Sequence, residues 1–276
     1  MGNCQAAVFA GISSVKTSRR CWNLFDADQA RFPWSGVALS MAGRNDAKRA
    51  GQFSAFTREV RIPPLGLPGI LEYPTGARAL VIFAHGSGSS RFSPRNIQVA
   101  QGLNRRRIST LLFDLLLPEE ENDRRNVFDI NLLGQRLLDA VHWIIEQPDT
   151  GNLPIGLFGA STGAAAALVA ASSPGERIGA VVSRGGRPDL AGSALPHVKA
   201  PTLLIVGGAD YGVIELNQWA LERLGGAKSI EIVPDATHLF PEPGALEVVI
   251  ELAGRWFERH LVEGDSASTN SKDAQQ

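Results

Sequence analysis

Three side chains of this chain could together carry out nucleophilic acyl chemistry. They are Ser161 in Gly159-Ala160-Ser161-Thr162-Gly163, Asp210 in GGAD, and His238 in DATH. A serine hydroxyl is a poor nucleophile at its ordinary pKa and needs a neighbouring base, normally a histidine held in the correct tautomer by a carboxylate. The GxSxG spacing suits such a serine. A strand that turns sharply into a helix strains the central residue, and glycines two positions to either side remove Cβ atoms that would clash. The pentapeptide alone does not separate this reading from an ordinary helix start, because serine is also a preferred N-cap. A developing oxyanion needs two N–H donors: Thr162 at the helix start offers one, and Ser87 in His85-Gly86-Ser87-Gly88-Ser89-Ser90 offers the other.

The remaining titratable residues divide by context. His142 and His260 fall in helical stretches and His197 in a proline-bounded loop, so they read as ordinary surface or packed histidines. His85 reads as a support beneath the oxyanion loop. Asp235 competes with Asp210 for the role of carboxylate but lies on the same short loop as His238. Arg91 and Arg184 follow strands and are candidates for binding a substrate carboxylate; pairing with Glu119, Glu120 or Asp189 is the alternative. The charge run PEEENDRRN, 118–126, is either part of the site's rim or a solvated face.

These residues need a scaffold that brings distant segments to one edge. Apolar runs of strand length supply it: ALVIFA at 79–84, TLLFDLL at 110–116, IGLFGA at 155–160, IGAVVS at 178–183, TLLIVG at 202–207 and SIEIVP at 229–234. Runs apolar on both faces belong to a parallel sheet covered by helices. The intervening stretches PRNIQVAQGLNRR, INLLGQRLLDAVHWIIEQ, STGAAAALVAAS, IELNQWALERL and GALEVVIELAGRWFERHLV are of helix length, and Trp143 and Trp219 on them read as core. TREVRI and GILEY, separated by PPLGLP, read as an antiparallel opening pair. The expected fold class is α/β: a doubly wound, mostly parallel sheet with helices on both faces. In such sheets ligands bind at the carboxyl ends of the strands. Ser87, Ser161, Asp210 and His238 all follow strands and therefore share one edge. Few residues separate IGAVVS from TLLIVG, so no large helical cap is expected there.

Composition bounds the rest. With 276 residues, 44% hydrophobic and 20% charged, the chain can bury one large core, and its net charge of −1 gives no reason to invoke nucleic acid or an anionic membrane as partner. Small organic substrates fit better. Two cysteines, Cys4 and Cys21, and no basic residue ahead of the short apolar start point to a cytoplasmic protein without a secretory leader. HGSGSS has the GxG of a dinucleotide fingerprint, but Arg91 takes the place of the third glycine, and GxxxxGK[ST] does not occur. The expected chemistry requires no cofactor and no metal. Residues 1–53 read as a loosely structured extension, 54–262 as the catalytic domain, and the polar 263–276 as a disordered tail. The sequence does not settle the oligomeric state.

HGSGSS, GASTG, GGAD and ATH, in this order and each after a strand, resemble the oxyanion loop, nucleophile elbow, acid and base of α/β-hydrolases, specifically the compact, capless dienelactone hydrolase family. The resemblance implies Ser161 as nucleophile, His238 as base, Asp210 as acid, and the Ser87 and Thr162 N–H groups as oxyanion donors. Dienelactone hydrolases proper use a cysteine nucleophile, and serine here moves the expected reaction to that of a serine esterase acting on carboxylic esters. A thioesterase, a lactone hydrolase and a non-catalytic binding module of the same fold are the alternatives. HGSGSSRFSPRN and SRGGRPDLAG also resemble hydrolase domains that are fused to phosphoribosyltransferases.

Overall fold

The computed structural model describes residues 55–263. The expected extension over 1–53 and, Glu263 apart, the expected tail lie outside the described residues. Eight strands form one sheet: β1 (Phe56–Ile62), β2 (Leu67–Tyr73), β3 (Ala79–Ala84), β4 (Ile108–Phe113), β5 (Ile155–Ala160), β6 (Ile178–Arg184), β7 (Thr202–Gly207) and β8 (Lys228–Val233). Their spatial order is β1-β2-β4-β3-β5-β6-β7-β8. β1 pairs with β2, and β2 with β4, in antiparallel register, while every pairing from β4 to β8 is parallel.

Every residue of β3, β4, β5 and β7 is buried, as expected of strands covered on both faces. β8 departs from that expectation. It is one of the two sheet edges, with a single strand neighbour and exposed Glu231 and Ile232, and of its apolar residues only Val233 is buried.

Among the described residues six α-helices lie between strands, α1 (Pro94–Arg105), α2 (Pro118–Glu121), α3 (Arg124–Val127), α4 (Ile130–Glu146), α5 (Thr162–Ala171) and α6 (Tyr211–Arg223), and a seventh, α7 (Ala245–Phe257), follows β8. Side-chain caps start three of them, α3 through the Asp123 carboxylate, which accepts the Arg125 N–H at 2.9 Å. The Ser93 hydroxyl accepts the Asn96 N–H to cap α1, and an Asp129 carboxylate oxygen accepts the Leu132 N–H at 3.0 Å to cap α4. On α4, Leu133, Leu137, Val141 and Ile144 recur at helical spacing and are all buried. α1 and α7 cover one face of the sheet, and α4, α5 and α6 cover the other.

The run 118–126 is not a plain loop; it forms α2 and α3, with no residue of either buried. Between β6 and β7, residues Pro188–His197 form two short 3-10 turns joined by a kink at Gly192 (φ 50°), and there is no inserted cap. Trp219 is 39% exposed rather than part of the core, with the Arg223 guanidinium over its ring. No helix among the described residues is long and apolar enough to cross a membrane.

The strand order reverses between β3 and β5, and the two strands end level, Ala84 pairing with Gly159. The connections that leave them diverge to opposite faces, and this opens the crevice in which doubly wound sheets hold ligands. The segment after β3 is the HGSGSS loop, and the residue after β5 is Ser161.

Candidate active site

Ser161 stands between β5 and α5 with φ 51° and ψ −121°, a left-handed backbone that L-residues avoid. The glycines around it have steric causes. A Cβ on Gly159 would lie 2.4 Å from the Ala164 Cα, and one on Gly163 would lie 2.3 Å from the Ala84 carbonyl oxygen. Both clashes are with backbone, which cannot swing aside, so only this residue pattern lets the strand turn into the helix directly against β3. Hydrogen bonds pin the turn from both directions: the Ser161 N–H donates to the Arg184 carbonyl at 3.3 Å, and the Ser161 carbonyl accepts the Arg187 N–H at 3.0 Å.

Ser161 occupies the N-cap position of α5 and Asp210 that of α6, yet neither side chain makes a capping bond. Both are turned toward His238. The His238 Nδ1–H donates to an Asp210 carboxylate oxygen at 2.7 Å, which leaves Nε2 with its lone pair free. The Ser161 hydroxyl is the donor within reach of that nitrogen, at 3.4 Å. Contacts of this kind are often long before substrate binds. The hydroxyl, imidazole and carboxylate thus form a series able to move a proton off the serine. Asp235, the competing carboxylate, sits in left-handed backbone (φ 58°) and makes no bond to His238. The His238 loop is fixed by Glu242, whose carboxylate accepts both the Thr237 N–H (3.0 Å) and the Thr237 hydroxyl (2.6 Å).

The two expected oxyanion donors lie side by side. The Thr162 N–H belongs to the first turn of α5, where helix geometry leaves it without an intrahelical acceptor. The Ser87 N–H already has a partner, donating to the Thr162 hydroxyl at 2.9 Å. Gly86 closes the space beside them, since a Cβ there would approach within 3.0 Å of the Ser161 Cβ. His85 anchors this loop. Its Nε2 accepts the Leu115 N–H at 3.1 Å, so its Nδ1 carries the proton and donates to the Gly86 carbonyl at 3.0 Å. Burial holds the His85 pKa below its usual value, outweighing the Gly86 bond and the Asp114 charge, which both pull upward.

The arginines differ from one another. Arg91, expected to be available to a substrate carboxylate, is tied to Asp114: its N–H donates to that carboxylate at 2.7 Å, and its guanidinium is ion-paired there and lies over Phe92. Arg187 forms a fork with Asp189, both bonds at 2.8 Å. Among the described residues no acid pairs with Arg184; its Nη2 donates to the Asn96 side-chain oxygen at 3.2 Å. Sequence reasoning overlooked Asp114, Asn96 and Glu242. Asp114 carried a visible signal, an acid interrupting the apolar run TLLFDLL. Asn96 and Glu242 carried none, because their partners are brought to them only by folding.

The profile of the dienelactone hydrolase family matches residues 118–258. A solved dienelactone hydrolase from Anabaena variabilis is 54% identical, with a TM-score of 0.72 over 76% of this chain and 99% of that one. The chain belongs to the dienelactone hydrolase family. Other relatives of this family member carry a different name. Proteins from two strains of Mycobacterium tuberculosis, named as phosphoribosyl transferases, are 59% identical over 198 residues, 72% of this chain. The match spans 45% of the length of those curated relatives. Est1E from Butyrivibrio proteoclasticus, at 15% identity and a TM-score of 0.62 over 74% of this chain and 98% of its own, shares the fold.

Proposed function

We propose that this chain is a serine hydrolase that cleaves carboxylic esters through an acyl-enzyme. The observation that carries the reading is the series Ser161 Oγ to His238 Nε2 (3.4 Å) and His238 Nδ1 to Asp210 (2.7 Å), assembled from three strand ends. Ser161 Oγ bonds to the carbonyl carbon while its proton passes to His238 Nε2, and the carbonyl π electrons move onto oxygen. Asp210 accepts the Nδ1–H throughout and stabilises the imidazolium. The Thr162 and Ser87 N–H groups face the developing oxyanion. An anionic acceptor makes a hydrogen bond roughly twice as strong as a neutral one, so the oxyanion outcompetes the Thr162 hydroxyl for Ser87. Collapse of the tetrahedral species expels the alcohol, which takes the proton from His238; water then repeats the sequence and releases the acid.

Lactones and thioesters present the same carbonyl to the same groups, and the family's name favours the lactone as the second reading. The transferase name belongs to relatives of which the match spans 45%, and no step of that chemistry is assigned to these residues. A small-molecule ester as substrate, with no cofactor or metal in any step, completes the proposal.

The test combines turnover and labelling. Wild type should hydrolyse short-chain para-nitrophenyl esters and react with a fluorophosphonate probe, and Ser161→Ala should do neither. A wild type inert in both assays, which is what a non-catalytic module predicts, or a variant active in both, overturns the reading.

A further inference from the structure

β7 and β8 are neighbours at one end of the sheet, and the loops that leave their carboxyl ends are pressed together. A Cβ on Gly207 would lie 2.3 Å from the Ala236 carbonyl oxygen, and that same oxygen accepts the Ala209 N–H at 2.9 Å. The Gly208 N–H donates to the Val233 carbonyl at 2.7 Å. Across this seam His238 donates to Asp210. The next residue along each loop has a large apolar body and stands in solvent: Tyr211 is 75% exposed and Leu239 40%, and neither packs into the core on either face of the sheet. Consecutive Cα atoms are about 3.8 Å apart, so the two residues directly flank the His238 to Asp210 bond.

Isolated apolar side chains on a surface are ordinary. These two differ in where they stand. The proton that leaves with the alcohol comes from His238 Nε2, so the alcohol oxygen must come within hydrogen-bond reach of that atom. The His238 side chain is 36% exposed, which leaves the alcohol's carbon chain a way out past the imidazole. That way out runs beside the loops that carry Leu239 and Tyr211. Phe92, the exposed ring on the oxyanion side, is instead faced by the Arg91 guanidinium at 4.1 Å. A polar alcohol gains nothing from covering a leucine and the face of a tyrosine ring, whereas an apolar one removes both from water.

We propose that Tyr211 and Leu239 form the binding site for the alcohol half of the ester, and that this half is an apolar alkyl or aryl group. The claim rests on the ester-hydrolase reading, which it narrows. It also implies a second reaction, acyl transfer to an apolar alcohol. An alcohol attacks the acyl-enzyme along the path by which the leaving alcohol departs, so a site that holds one holds the other. The attacking oxygen bonds to the acyl carbon, its proton passes to His238 Nε2, and the carbonyl π electrons move onto oxygen. Their return breaks the bond to Ser161 Oγ, which recovers the proton from His238, and a new ester is released in place of the acid.

The test reads how one acyl-enzyme divides between water and alcohol. Para-nitrophenyl acetate forms it, and para-nitrophenol release shows that it forms. Initial yields of alkyl acetate and acetate then give the transfer rate constants for ethanol, 1-butanol and 1-hexanol, each below its solubility limit. Half-covering each added methylene should raise transfer by about twofold, so wild type should prefer 1-hexanol to ethanol by about tenfold or more. Tyr211→Ala and Leu239→Ala should each lower that preference by about threefold or more, and Tyr211→Phe should keep it, since the ring makes the contact. Leu65→Ala should keep it as well, because Leu65 is as exposed as Leu239 but lies in the β1 to β2 turn at the other end of the sheet. The preference is a ratio within one enzyme and does not move when a variant merely loses activity. The alanine variants are read separately, so one that does not fold leaves the other to decide, and the wild-type preference decides if neither folds. A wild-type preference near one with para-nitrophenol released overturns the proposal. So does a preference kept in every folded alanine variant, or transfer that rises only once 1-hexanol forms a separate phase, the mark of binding to an apolar interface. Absence of both para-nitrophenol release and Ser161 labelling is a different result: the hydrolase reading fails, and the alcohol site falls with it.

Discussion

The Thr162 hydroxyl accepts the Ser87 N–H at 2.9 Å, tying the loop after β3 to the first residue of α5. The bond holds one expected oxyanion donor in register with the other. Thr162→Val keeps the volume and removes the acceptor, leaving the Ser87 loop free to drift. The expected result is a fall of about tenfold in kcat with little change in KM, equivalent to ~1.4 kcal/mol of transition-state stabilisation, and recovery in Thr162→Ser. Steady-state kinetics on a para-nitrophenyl ester measures this, and an unchanged kcat in Thr162→Val would remove the tether from the account.

Asp210 and Asp235 should respond oppositely to amidation. Asp210→Asn keeps the shape but presents the wrong group to Nδ1–H, and kcat should fall by roughly 10³- to 10⁴-fold. Since the Asp210 carboxylate makes no capping bond to α6, the melting temperature should move little. Asp235→Asn, at a left-handed position that asparagine tolerates, should stay within about twofold of wild type. If Asp235→Asn proves the damaging change, the carboxylate has been misassigned.

Ser161 is held at φ 51°, and that conformation costs an alanine as much as a serine. Glycine escapes the penalty. Ser161→Gly should therefore be more stable than Ser161→Ala by about 1 kcal/mol in denaturant unfolding, both being inactive. Equal stabilities would mean that the turn is not strained.

Gly163→Ala should have the reverse effect. Its Cβ would meet two carbonyl oxygens, of Ala84 at 2.3 Å and of His85 at 2.5 Å, and must push β3 and the oxyanion loop away from α5. A loss of about 2–3 kcal/mol in chemical denaturation is expected, with hydrolysis lost as well. A variant of wild-type stability would show that this junction is loosely packed.

His85 should leave a signature in the pH dependence of stability. Its folded-state pKa lies below the unfolded value near 6.5, so folding favours the neutral ring. That contribution is complete above about pH 6.5 and is lost as the pH falls through the depressed folded value, where protonation would turn the Nε2 acceptor of the Leu115 N–H into a donor. Carboxylates whose folded pKa is lowered, such as Asp123 and Glu242, act in a lower window, below about pH 4.5. Melting temperatures between pH 7 and 5 should fall more steeply for wild type than for His85→Gln. Parallel curves would show that His85 does not titrate as its surroundings require.

Much of this architecture was legible because its signals are local. Strands buried on both faces announce themselves as unbroken apolar runs, as in ALVIFA and IGLFGA, and the junctions after them locate Ser161, Asp210 and His238 before any distance is known. What the sequence concealed depends on neighbours far along the chain. SIEIVP has a strand's composition, but its exposure follows from its being last in the sheet. Arg91 and Arg184 look alike in sequence, and only the fold assigns Asp114 to the first and, among the described residues, no acid to the second. The Ser87 N–H, likewise, could not be known to be occupied until its loop met Thr162.

Ser161 and Asp210 each begin a helix without capping it. Anyone seeking a more heat-resistant form of this protein would be drawn first to these two helix starts, where conventional repair recovers about 1 kcal/mol. At both, turning the side chain back onto its own helix would take a group away from His238. Gains in durability must therefore be sought elsewhere, for example along the exposed edge of β8, where no member of the series is disturbed.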